Sequence, residues 1–183
     1  MTWPAQLSRN KLVAVLTSVI LGAACSDAQR PVGPPEEQTA AGTQRHTLSS
    51  GAGSTLLARS TITEGFKVKR QTGTWEVDIH AKAPTEVTVA TITLQPGGHM
   101  GWHSHPGPGF VQVISGTASF YVAGDPSCTP TVVGVGQAWL DRGEKPHIAR
   151  NETGAPVTFL VTLFTPPGAQ ARIDEPAPGN CPF

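Results

Sequence analysis

Residues Gly101–Phe110 read GWHSHPGPGF. Two histidines, His103 and His105, stand one residue apart and run directly into a Pro/Gly turn. On a strand, residues two apart point the same way, so this pair can present both imidazoles to one point. Whether that point holds a metal depends on a third ligand and on a fold that brings it near.

The surrounding chain reads as short strands. TWEVDIHA alternates Trp75, Val77 and Ile79 with Glu76, Asp78 and His80, the period of a half-buried strand. EVTVATITL (Glu86–Leu94) alternates in the same way, and PVTFLVTLF (Pro156–Phe164) is a strongly apolar strand. FVQVISGTASFYV (Phe110–Val122) predicts two strands closed into a tight hairpin at Ser115–Gly116. GQAWLD (Gly136–Asp141) and HIARN (His147–Asn151) flank another turn. With 17 prolines and 20 glycines, and no sustained helical period after Thr55, the expectation is an all-β sandwich or small barrel.

The 183 residues suit one core, and 13 basic against 13 acidic residues leave no formal net charge. Nothing resembles the basic stripe that a phosphate backbone requires, so nucleic acid is not an expected partner.

Arg9 and Lys11 precede an apolar run, Leu12–Ala24, of 13 residues. That is short of the roughly 20 that a spanning helix needs, so residues 1–24 read as an export signal. The following GAACSD resembles a bacterial lipobox, which would lipidate Cys25 and tether the chain to the cell envelope, on the periplasmic or extracellular side. Leu21 stands four residues before the cysteine where most lipoboxes place it three before, so ordinary cleavage nearby stays open. Residues 25–54, rich in Pro, Gly, Ser and Gln, read as a flexible tether containing an inert His46, and residues 55–183 as the folded domain. If Cys25 carries lipid, Cys128 and Cys181 remain as an even pair in an oxidising compartment, where a disulfide is expected.

PGGHMGWHSHPGPGFVQVISG (Pro96–Gly116) resembles the first motif of the cupin superfamily: a glycine, five residues, His-x-His, three or four residues, usually Glu, then six residues and glycine. GQAWLDRGEKPHIARN (Gly136–Asn151) is similar to the second motif, in which a histidine precedes an asparagine by four positions, here His147 and Asn151. Asp141 and Gly143 stand where that motif carries Pro-x-Gly. The resemblance runs from about Thr85 to Pro166 and implies a double-stranded β-helix, the jelly-roll barrel.

It also implies a divalent first-row metal, zinc, iron, nickel, copper or manganese, held by His103, His105 and His147 with positions open for a small-molecule ligand. The family's glutamate position falls on Gly109, so the expected site has three histidines with water where the carboxylate would be. Without that carboxylate the ion keeps its full charge, which favours anionic ligands. His99, which shares the parity of His103, together with Gln112 and Tyr121 are further pocket candidates; Gln112 would reach the metal only through a bulge. Trp102 and Trp139 read as packing residues and Asn151 as a structural hydrogen-bonder. Three functions stay open: a metal-dependent dioxygenase, isomerase or lyase, a non-catalytic metal- or metabolite-binding module, and a structural domain with a vestigial site. Monomer and homodimer are equally compatible with the sequence.

Overall fold

The computed structural model describes residues 47–183. The expected signal segment, Cys25, His46 and the tether as far as residue 46 lie outside the described residues. The described residues form strands and turns, with no helix among them.

The first strand, β1 (Ser50–Ile62), starts five residues before Thr55, the expected start of the folded segment. Its sequence is poor in large apolar residues, yet it pairs antiparallel along β4 (Thr85–His99), from Ser50 opposite His99 to Ile62 opposite Thr85. Backbone pairing along an exposed edge needs no buried face, which is why composition alone does not reveal this strand. Between them, β2 (Phe66–Thr72) and β3 (Trp75–Ala81) form a separate two-stranded ribbon. The period-two alternation of β3 is realised as a strand but not as half-burial: Trp75 is 58% and Ile79 48% exposed. Among the described residues the ribbon's strands pair only with each other.

The remaining strands are β5 (His103–Ser104), β6 (Gly109–Ser115), β7 (Thr117–Val122), β8 (Thr131–Gly134), β9 (Ala138–Asp141), β10 (His147–Arg150), β11 (Val157–Thr165) and β12 (Ile173–Asp174). They join β1 and β4 in a nearly closed antiparallel barrel running β12-β5-β10-β4-β11-β6-β9, with β7 on β10 and β8 on β7. The expected tight hairpin at Ser115–Gly116 does not form. β6 pairs with β11 and β9, whereas β7 pairs with β10 and β8. Gly116 is instead a corner at which the chain passes from one layer to the other, as in a jelly roll. Its φ of +76° is left-handed, and a Cβ there would come within 2.8 Å of the Pro156 carbonyl oxygen, so a side chain at this corner would be strained and clash.

Inward-facing Leu94, Val113, Phe120, Val133, Val157 and Phe159 fill the space between the layers. Each such side chain contributes about 1.5–3 kcal/mol by leaving water. On the opposite face of β7 and β10 lies a smaller cluster of Trp102, Tyr121, Ile148 and Cys181. A Cys128–Cys181 disulfide, with Cα atoms 5.3 Å apart, ties the C-terminal tail over it.

Candidate metal centre

His103 on β5 and His147 on β10 are direct cross-strand partners, and His105 follows two residues after His103. The ring centroids lie 4.4 Å apart for His103–His147, 5.0 Å for His103–His105 and 5.2 Å for His105–His147. One ring nitrogen of each lies within 4.8 Å of the other two.

Their main-chain partners decide which nitrogen is free. His103 Nδ1 is 2.8 Å from the Gly101 carbonyl, His105 Nδ1 meets the Ala171 carbonyl, and His147 Nδ1 is 3.4 Å from the Lys145 carbonyl. A carbonyl only accepts, so each Nδ1 carries the hydrogen and donates it. Each Nε2 is left with its lone pair, the arrangement that orients a metal-binding imidazole. Burial keeps the rings neutral. Desolvation, then the charges of His147 and Arg172, lowers the His103 pKa to about 2. Desolvation likewise lowers His147 to about 4 and holds His105 below its ordinary value, despite the opposing pull of Asp141 on both.

Asp141, which stands where the resembled motif carries proline, ends β9 and is only 4% exposed. It brings a buried carboxylate beside His105 and His147. On β6, Gly109 pairs directly with Asp141 across the ladder. Asp141 Oδ1 accepts the Gly143 N–H at 2.9 Å and lies 3.8 Å from His147 Nδ1. Oδ2 is buried, makes no hydrogen bond, and lies 3.9 Å from His105 Nε2. Gly143, at φ +70°, holds this turn where a Cβ would strike the Gly107 backbone.

The three histidines and Asp141 line one end of a cavity of about 230 Å³. Its walls are apolar, with Ile92, Val111, Phe159 and Leu163 among them. Trp139, expected only to pack, also lines it: the indole stacks on Phe120 with centroids 4.6 Å apart and meets His147 edge-on at 5.0 Å. Arg172, in a segment with no motif to mark it, lines the same cavity just before β12.

The other pocket candidates do not line this cavity. His99 sits at the end of β4, where its Nδ1 accepts the Gly101 N–H at 3.1 Å. Gln112 is exposed, because Val111 and Val113 take the inward parity of β6 without a bulge at that point. Tyr121 has the opposite parity to inward-facing Phe120; it donates to Glu152 Oε1 at 2.7 Å and packs against Phe183 beneath the C-terminal tail. Asn151 makes structural bonds, its Nδ2 donating to the Leu94 and Ala155 carbonyls at 3.0 and 2.8 Å.

Residues 90–163 match the family profile described as "Cupin domain". No curated protein matches the chain. Among solved structures, a conserved protein of unknown function from Streptococcus pyogenes aligns at 22% identity and TM-score 0.38, over 44% of this chain and 65% of that one. The cupin domain of an XRE-family transcriptional regulator from Enterobacter cloacae aligns at 27% and 0.37, over 44% and 82%. An oxalate decarboxylase from Lactobacillus farciminis, in its formate complex, aligns at 22% and 0.42, over 48% and 26%. The chain therefore spans less than two thirds of the first of these proteins and about a quarter of the third.

Proposed function

We propose that this chain is a metal-dependent enzyme of the dioxygenase, isomerase or lyase kind, acting on a small molecule, with one divalent first-row ion held by His103, His105 and His147. One observation carries the reading. His105 Nε2 and Asp141 Oδ2, both bearers of lone pairs, face each other at 3.9 Å in a buried place with no hydrogen between them. Two such groups repel unless a cation or a proton joins them, and the burial that keeps the imidazoles neutral disfavours the proton. A metal fits this donor set: neutral imidazoles suit zinc, copper, nickel or iron, and a carboxylate beside them extends the range to manganese.

The ion, when bound, would act as a Lewis acid with positions left for a ligand. The chain's own residues supply the rest. The carbonyls of Gly101, Ala171 and Lys145 orient the three rings. Asp141, the one carboxylate lining this cavity, offers Oδ2 as the group that takes a proton from a bound molecule, while Gly143 holds Oδ1. The apolar walls keep water from the reacting centre.

We place the protein outside the cytoplasm, tethered to the envelope by lipid on Cys25. The Cys128–Cys181 disulfide supports an oxidising compartment. Metal analysis of protein purified without chelators, followed by oxygen-uptake and product assays on the same sample, tests the reading. A stoichiometric metal with turnover of a small molecule is the expected result; a metal-bearing protein inert to every ligand that binds it would make it a binding module instead.

A further inference from the structure

We infer that the molecule bound in this cavity carries a single carboxylate taken by Arg172, and that the rest of it is a short apolar chain. The inference rests on the reading above only in treating this cavity as the working site.

Arg172 has a fixed position and spare capacity. Its Nη2 donates to the Met100 carbonyl at 2.7 Å and its Nε to Asp174 Oδ1 at 2.6 Å, which pins the guanidinium plane. Nη1 is buried with no acceptor. A guanidinium carries five N–H donors in a rigid fork, and leaving one buried and unmet is costly unless a ligand meets it. A carboxylate matches that fork better than any neutral acceptor. The residue lines the same cavity as the three histidines. Ala171, the preceding residue, gives its carbonyl to His105, so the segment that positions one histidine also carries the proposed anchor.

The walls set the remainder of the ligand. A cavity of about 230 Å³ is smaller than the roughly 300–1,000 Å³ of pockets for drug-sized ligands. Beyond the histidine end the walls are Ile92, Val111, Phe159, Val161 and Leu163. A dianion without an apolar part would leave these walls unfilled.

Calorimetric titration of the full chain, metal-free and zinc-loaded, with butyrate, neutral butyramide and oxalate tests this. Butyrate should bind both forms, and on the metal-free form should bind about tenfold or more tighter than butyramide, because there Arg172 is the group that prefers a carboxylate. Arg172→Gln should weaken butyrate by about tenfold and leave butyramide unchanged, with Arg172→Lys in between. Equal butyrate affinity in wild type and Arg172→Gln overturns the anchor, as does equal binding of butyrate and butyramide by the metal-free protein. On the metal-free form, oxalate binding more tightly than butyrate overturns the apolar tail. If Arg172→Gln does not fold, the butyrate–butyramide comparison on wild type decides. Zinc content is measured on each sample, so a chain that takes no zinc but still prefers butyrate through Arg172 defeats the metal reading while leaving this one standing.

Discussion

Gly109 on β6 and Asp141 on β9 face each other as direct cross-strand partners, so a position without a side chain lies opposite one that brings a buried carboxylate to the histidines. A Cβ on Gly109 would come 2.6 Å from Leu163 Cδ2 and 3.8 Å from Asp141 Cβ. Gly109→Glu would have to displace Leu163 and would set a second carboxylate beside Asp141. The expected outcome is a loss of about 1–3 kcal/mol from overpacking and no tightening of metal binding. Asp141→Asn should weaken zinc by about 10–100-fold. Competition with a chromophoric chelator measures both; a Gly109→Glu protein that binds zinc more tightly than wild type would show that Asp141 does not fill the carboxylate's place.

Acid should weaken the metal-free fold through the same histidines. Unfolded, each imidazole titrates near 6.5; folded, burial lowers His103 to about 2 and His147 to about 4. Below pH 6.5 the unfolded chain therefore binds protons that the folded chain refuses, and stability falls with pH through the window from 6.5 to about 4. Bound metal should be held by the folded chain until its own rings take protons, below about pH 4. Urea midpoints at pH 7.5, 5.5 and 4.5 follow the effect, which the His103→Gln, His147→Gln double variant should blunt. A midpoint indifferent to pH over this range would mean that these rings are solvated.

The disulfide closes a separation of 53 residues, for which chain entropy gives about 4 kcal/mol. Cys128→Ser with Cys181→Ser should lower the urea-unfolding free energy by about 2–5 kcal/mol. It should also loosen the tail over Trp102, shifting tryptophan emission to the red, since Trp102 is buried against Cys181, Tyr121 and Ile148. Unchanged stability would mean that the tail is held by its other contacts, such as the Asn180 side chain on the Val122 and Asp125 carbonyls.

Strand-forming segments and the histidine set were legible because both rest on short-range regularities. Period-two alternation marks β4, a strongly apolar run marks β11, and two-residue spacing puts His103 and His105 together. What was not legible depends on which strand lies beside which. Gly116 looks like a hairpin residue until β6 and β7 are seen to pair with different neighbours. Asp141 gains its role only from the β6–β9 ladder that sets it opposite Gly109, although its shared parity with Trp139 was a usable signal. Arg172 comes from the tail, more than twenty residues past the second motif, with nothing in GAQARIDEP to mark it. Gln112 and Tyr121 failed as pocket residues because inward neighbours, Val111 with Val113 and Phe120, already hold the inward parity of their strands.

The most direct measurement is the metal content of the full chain and of the His103→Ala, His147→Ala double variant, purified side by side without chelators. The two histidines are cross-strand partners with Nδ1 committed to main-chain carbonyls, so their Nε2 atoms have no other task among the described residues. The account predicts about one divalent ion per wild-type chain and less than about a tenth of that in the variant, with both proteins folded by circular dichroism. Equal metal in the two would contradict it.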